Sequence, residues 1–437
     1  MIRRVSAVSC GLALCGFMPA ALAGPYSAAL NDPANAYDAP VPGFVGPNGI
    51  GKARLDSFTV DGNGNPIYQN SDNFVNPLFF GWAASVTRYE RSDSDLSFSD
   101  PELGLGAVTG DNFDVVSLGD LSAAAITAGA ARGSITVELS KPVQNLDGAD
   151  FVVFENGYIT QSNQGGAGIG GVFGELAEIW VSANGVDFVK FPTTSLTAAS
   201  PGMYGSVDPT NLRNLAGKHV NAYGNSWGTP FDLAQVGLAQ ITHIRIVDVP
   251  GNGAFLDQSG HPIYDAWRTF GSGGFDLEAV GAISTRMTFA EWPQLEKLPI
   301  TDRLPAADPD GDGVPNLLEY AFSAAPWKPD VVTPALIMAD GRGEISFTRD
   351  ERLTDLVYEV QTSSTMAPDN WVTIASSTAG APMQGANGHA PVISENSADA
   401  IQSIGVIRKV TVRDTVSGPR RFLRVKVSTI PATLPNP

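Results

Sequence analysis

The chain has 437 residues, with 45 acidic side chains against 27 basic ones and a formal charge of −18. Such a surface repels nucleic acid and anionic lipid and attracts cations, so nucleic-acid partners are excluded and calcium fits. Length alone calls for about two to three domains.

Arg3 and Arg4 open a short basic segment, an apolar stretch runs from Val5 to Leu22, and Ala21-Leu22-Ala23 gives the small-x-small pattern of a signal-peptidase site. Residues 1–23 are therefore expected to be a signal peptide. The chain that works outside the cytoplasm, secreted or at the cell surface, would begin at Gly24. No later apolar run reaches about 18 residues, so no transmembrane segment is expected. Losing Arg3 and Arg4 moves the charge from −18 to −20. Cys10 and Cys15 leave with the same segment, which rules out a disulfide or a cysteine-ligated zinc in the exported chain. His219, His243, His261 and His389 are scattered, with no pair at helical metal-site spacing.

Residues 24–110 are loop-rich, with a turn at Asp61 to Pro66, and read as an N-terminal arm packed on the next domain through Phe79, Phe80 and Trp82. Residues 111–285 read as a jelly-roll β-sandwich. Ile135, Val137 and Leu139 alternate onto one face, as do Ile244 and Ile246. Ala149 to Phe154 and Ala177 to Ser182 are short buried-strand runs, split from the others by turn residues. Residues 286–330 read as a linker, with a short helix at Phe289 to Leu298 interrupted by Pro293 and another turn or two of helix from Leu317 to Phe322. Strands resume in 331–437, ending on Arg421 to Val427, where Leu423, Val425 and Val427 face in and Arg424 and Lys426 face out. The fold class is mainly β: a jelly roll, a calcium-loop linker and a smaller, fibronectin-like C-terminal sandwich.

Within the linker, Asp308-Pro-Asp-Gly-Asp-Gly-Val-Pro-Asn-Leu-Leu-Glu319 has EF-hand-like spacing. Asp308, Asp310 and Asp312 fill positions 1, 3 and 5, and Gly313 at 6 permits the sharp turn. Val314 offers its carbonyl at 7, Asn316 stands at 9, often acting through water, and Glu319 at 12 can clamp with both oxygens. Calcium is the cofactor expected here, in a structural role. The stretch resembles the thrombospondin type 3-like and dockerin-like Asp-x-Asp-x-Asp-Gly-x-x-Asn-x-x-Glu repeats of secreted bacterial proteins. Pro315 departs from the β-branched residue usual at position 8, and no second repeat follows.

Acids and amides also cluster at strand ends: Asp111, Asp114, Glu155, Asn156, Glu178, Asp232, Asp276 and Glu278. Together these motifs resemble bacterial exported cell-surface proteins of jelly-roll type, which implies location and fold more than activity. Gly-Phe-Asp-Leu-Glu-Ala-Val-Gly is similar to the closing strand of calcium-containing, galactose-binding-like carbohydrate modules. That resemblance makes Glu155 and Asp276 candidates for a second calcium. Their alternative is to cap turns by accepting backbone N–H groups. Tyr158, Tyr204, Tyr223, Trp227 and Tyr264 lie in Gly-rich or polar segments, and Trp227 is the first candidate for a ligand platform.

Two motifs invite over-reading. Gly224-Asn-Ser-Trp-Gly228 matches a nucleophile elbow but runs into Thr229 and Pro230 rather than a helix. Gly166 to Gly171 matches G-x-G-x-x-G but leads to a strand, so it reads as a surface loop. No catalytic set emerges and the chain is not expected to be an enzyme. The expected function is a calcium-binding module for a glycan or another surface component. Its alternatives are a structural envelope or matrix protein, or an extracellular hydrolase.

Overall fold

The computed structural model describes residues 23–30, 38–53, 58–60, 66–68, 72–271, 273–296, 298–329, 334–398, 405–416 and 420–430. The expected signal segment lies outside the described residues over positions 1–22, as does most of the Asp61 to Pro66 turn.

One sheet of eleven strands organises the first two thirds of the chain. In chain order the strands are β1 (Val41–Pro42), β2 (Gly81–Glu90), β3 (Val116–Ser117), β4 (Ser134–Gln144), β5 (Phe151–Glu155), β6 (Ala177–Ser182), β7 (Val189–Lys190), β8 (Leu215–Ala216), β9 (Trp227–Phe231), β10 (Gln240–Asp248) and β11 (Asp276–Ala282). Their order across the sheet is β1-β9-β5-β11-β2-β4-β10-β6-β7, with β3 also on β11 and β8 also on β6. The protein is mainly β, and this curled sheet is compatible with a β-sandwich.

Alternation explains the middle of the sheet. Ile135 lies opposite Ile246 and Val137 opposite Ile244, and the same two isoleucines face Ile179 and Val181 on β6. All six are buried in one core. The strands β9, β5 and β11 differ, because every residue in them is buried. Phe151 and Val153 point into that core, whereas Val152 and Phe154 enter a second cluster with Val41, Phe44, Phe79 and Val108. A strand covered on both faces needs no polar alternation, which is why Phe151–Glu155 reads as a continuous apolar run.

Part of the stretch expected to be a packed arm is itself sheet. Gly81–Glu90 lies between β11 and β4, pairing Val86 with Val137 and Trp82 with Gly281. Register shifts interrupt its pairing with β4, which breaks the clean alternation that marks the other strands. Among the described residues of that segment, Phe44, Phe79 and Trp82 pack with Val152 and Phe154 of β5, whereas Phe80 packs against the core formed beyond Ser284.

Beyond Ser284 a second core forms between two four-stranded sheets. Their strands are β12 (Ala335–Ala339), β13 (Arg342–Asp350), β14 (Leu356–Ser363), β15 (Val372–Thr378), β16 (Gln384–Gly385), β17 (Val392–Ser397), β18 (Ile407–Arg413) and β19 (Phe422–Thr429). The orders are β12-β13-β18-β17 and β16-β15-β14-β19. Residues expected in the linker enter this core: Met287, Phe289 and Trp292, then Tyr320, Ala321 and Phe322. The helix Asn316–Phe322 therefore forms part of the wall of this second sandwich. Its C-cap, Ser323, takes the left-handed conformation at φ 59° and closes the last turn.

Candidate metal loop and acid-floored pocket

The Asp308–Glu319 loop folds its carboxylates inward through its own amides. Asp308 accepts from the amides of Gly311 and Gly313, both at 2.9 Å. Asp310 accepts from Asp312 at 3.2 Å, and Asp312 accepts from Val314 at 2.8 Å. Gly313 makes its turn at φ 91°, a conformation that favours glycine. As a result, oxygens of Asp308, Asp310 and Asp312 lie within 4.8 Å of one another, the one such cluster of three potential metal ligands among the described residues. Partial burial, then crowding by Asp312 and Asp308, raises the pKa of Asp310.

The exit of the loop is fixed as firmly. The Asn316 amide donates to the Ala307 carbonyl at 2.8 Å and that of Leu317 to Pro305 at 3.0 Å. The Asn316 side chain donates through Nδ2 to the carbonyls of Asp302 at 2.6 Å and Leu304 at 3.0 Å. Asn316 and Glu319 are both fully buried at the start of the helix. Asn316 Oδ1 and Asp310 Oδ2 are buried, and no donor among the described residues reaches them. An oxygen-only donor set with orphaned oxygens suits a hard divalent cation.

The second site lies at the end of the large sheet where β5 and β11 meet. Glu155 closes β5 opposite Leu277, and Asp276 opens β11. The two candidates for a second calcium are thus neighbours on adjacent strands. Burial first, then Asp276, pushes the Glu155 carboxyl well above its usual range. Glu155 also accepts from the Gly157 amide at 2.8 Å, so the turn-capping alternative holds for one of its oxygens.

A pocket of about 210 Å³ opens over this strand end, with Glu175 and Asp276 lining it beside Asn112 and Asn156. Aromatic rings wall it. Tyr158 stacks on Phe173 at 5.1 Å and meets Tyr223 edge-on at 5.2 Å, and Phe98 stacks on Phe113 at 6.4 Å. The hairpin register explains the first pair, since Tyr158 lies directly opposite Phe173. Asn112 holds the opposite wall by accepting from the Tyr223 amide at 3.0 Å. Burial and then Asp276 raise the pKa of Glu175 well above the usual carboxylate range.

Of the aromatics singled out in the sequence, Tyr158 and Tyr223 come together here. Trp227 does not: it lies in β9, is 8% exposed and packs in a cluster with Val172, Val220 and Ile263. A Cβ on Gly51 would stand 2.1 Å from the Trp227 ring, so backbone covers the face a ligand would need. The G-x-S-x-G match has no elbow either. Ser226 is fully buried and the strand β9 follows it directly. The glycines from 166 to 171 form the hairpin loop between Tyr158–Ile159 and Val172–Phe173. Phe173 and Glu175, which the sequence reading missed, follow that loop and carried no periodic signal of their own.

The chain matches no protein-family model, and comparison with curated proteins finds no similar sequence. What the fold defines is a mainly β protein with a large curled sheet, and no described helix is long and apolar enough to cross a membrane.

Proposed function

We propose that this protein is an exported, secreted or surface-held calcium-binding module that takes a glycan in the pocket between Tyr158, Phe173 and Tyr223. The observation that carries the reading is the pairing of aromatic walls with an acid and amide floor. Sugar rings offer apolar faces to aromatic side chains and hydroxyls to Asn112, Asn156, Glu175 and Asp276. Calcium held by Asp308, Asp310, Asp312, the Val314 carbonyl, Asn316 and Glu319 would fix the helix that enters the second sandwich. It acts on structure there, since that loop and the pocket share no residue.

The test is retention of the Gly24–Pro437 chain on a panel of polysaccharides, with and without millimolar calcium. At least one polysaccharide should retain it, and Tyr158→Ala should weaken that retention tenfold or more, about 1.4 kcal/mol. No retention on any polysaccharide in either condition would overturn the reading in favour of a structural envelope or matrix protein.

A further inference from the structure

Behind the pocket floor, the same end of the sandwich buries more acid than the pocket uses. Asp120, Glu175, Asp248 and Asp265 are each at most 6% exposed. One short segment ties three of them together. The Thr269 amide donates to Asp120 Oδ2 at 3.0 Å, its hydroxyl donates to Glu175 Oε1, and the Gly274 amide donates to that same Glu175 oxygen at 2.8 Å. The next amide, of Phe275, donates to Asp248 Oδ1 at 2.9 Å. Gly274 adopts φ 74°, and a Cβ there would stand 2.3 Å from the Gly119 carbonyl oxygen and 3.0 Å from Asp248 Oδ1. Backbone beside Asp120 is therefore packed close to the Asp248 carboxylate.

Each of these two aspartates has one oxygen satisfied and one not. Asp120 Oδ1 and Asp248 Oδ2 are buried, and no donor among the described residues reaches either. The neighbouring cations bond elsewhere than to these two oxygens, and Arg132 Nη2 pairs with Glu178 at 2.7 Å. Arg132 Nη1 donates to the Asp248 carbonyl at 3.1 Å, and Arg268 Nε donates to the Asp120 carbonyl at 3.2 Å. Burial pushes the Asp120 carboxyl up to about 7, and burial followed by the presence of Asp120 raises Asp248 well above its usual range. Ionised carboxylates buried with an unpartnered oxygen are costly, so two of them at one end of the sheet call for positive charge.

We propose that Asp120 and Asp248 hold a calcium ion between these two oxygens, with Glu175 and Asp265 adding negative charge around it. Oxygen is the only donor type present, which selects a hard cation, and calcium completes its shell with main-chain carbonyls and water. The site shares no residue with the Asp308–Glu319 loop or with the Glu155 and Asp276 pair to which the sequence points. It joins the end of β10, the turn after β3 and the lead into β11.

Calcium counted by equilibrium dialysis tests this on the Gly24–Pro437 chain carrying D312A and E319Q, which disable the loop. At least one calcium per chain should remain, and one fewer should bind after D120N and D248N are added. A melting measurement guards against misfolding. With the loop intact, D120N/D248N should melt at or above the parent chain in chelator, because the repulsion is gone, and below it in millimolar calcium. A folded, loop-disabled chain that binds no calcium overturns the proposal. So does a D120N/D248N chain that melts lower in chelator as well, which shows a structural role only. Failure of the loop reading would appear elsewhere, as proteolysis between Arg303 and Lys328 that ignores calcium.

Discussion

Asn316 donates through Nδ2 to the Asp302 carbonyl at 2.6 Å, which places its Oδ1 on the other edge of the amide, buried and without a donor among the described residues. The reversed amide would set Oδ1 against the carbonyls of both Asp302 and Leu304, so repulsion fixes this orientation. Position 9 of a calcium loop is often a weak, water-mediated ligand, but here its side chain also ties the loop exit to residues upstream. Asn316→Ala should therefore destabilise the protein even in chelator, by roughly 1–3 kcal/mol, because two hydrogen bonds to part-buried carbonyls are lost. Urea denaturation in chelator checks it. No change there would show that the residue acts on the metal alone.

Chelation itself should loosen the loop. Three carboxylates within 4.8 Å of one another repel without an ion and become ligands with one. Extracellular sites of this type commonly bind at about 0.1 to 1 mM, and the bound ion stabilises the ordered loop by mass action. Protease cutting between Arg303 and Lys328 should rise in chelator, and Asp312→Ala and Glu319→Gln should reproduce that rise in calcium. Because Tyr320 and Phe322 enter the second core, melting of the C-terminal sandwich should fall along with it. Equal cutting with and without millimolar calcium would sink the idea.

Strands such as Ser134–Gln144 and Gln240–Asp248 were legible in the sequence because one face is buried and the other is not. Gly81–Glu90 was not, since its register shifts twice against β4 and only Gly81 and Ala83 of the strand are buried. Leu317, Leu318 and Tyr320 are expected to pack on a neighbouring sandwich and do so, but which one was not legible, for a different reason. A seven-residue helix carries too few turns to show which domain its apolar face joins. At the pocket, Tyr158 and Glu155 stood out in sequence because each marks a strand end. Glu175 did not, because its role depends on Asp276, far along the chain, which joins it only in the folded pocket. Trp227 misled because a Gly-rich neighbourhood suggests exposure, whereas its glycines permit close packing.

The two cores meet at Arg352. It is 2% exposed, forms a bidentate pair with Asp350 at 2.6 to 3.0 Å and stacks over Phe80 at 3.5 Å. Its Nη1 also donates to the carbonyls of Leu78 at 2.6 Å and Ile283 at 3.0 Å, two residues packed in the cluster of Phe44 and Phe79. Arg352→Met should cost about 3–5 kcal/mol, since it leaves a buried carboxylate without its partner. The double change Arg352→Met with Asp350→Asn should recover part of that loss. Calorimetry would show the two sandwiches melting further apart in the single variant. Identical traces for both variants and the parent would show that this contact does not couple them.

Asp150 gives the sheet a pH dependence of defined sign. It is fully buried between β4 and β5, one carboxylate oxygen accepting from the Leu146 amide at 2.9 Å and the other from Leu233 at 2.7 Å. Burial outweighs those bonds and pushes its pKa from 3.8 up to about 7. A carboxyl whose folded pKa is raised binds its proton more tightly in the native state. Its contribution is fully present below the unfolded value near 4 and is lost as pH rises through about 7. Each tenfold change in proton affinity is worth about 1.4 kcal/mol, so the loss is on the order of a few kcal/mol. Asp150→Asn removes the titration and also sets an amide N–H₂ against one backbone donor. It should therefore weaken the protein clearly at pH 5, where the parent carboxyl is protonated and bonded. At pH 8 the parent carries a buried charge that the asparagine lacks, so the gap should narrow or reverse. Urea denaturation of both chains at the two pH values, in chelator, isolates this group, because every other acid titrates alike in both. A stability difference that stays constant from pH 5 to pH 8 would mean that Asp150 ionises normally in the fold, and that the amides of Leu146 and Leu233 fully offset its burial.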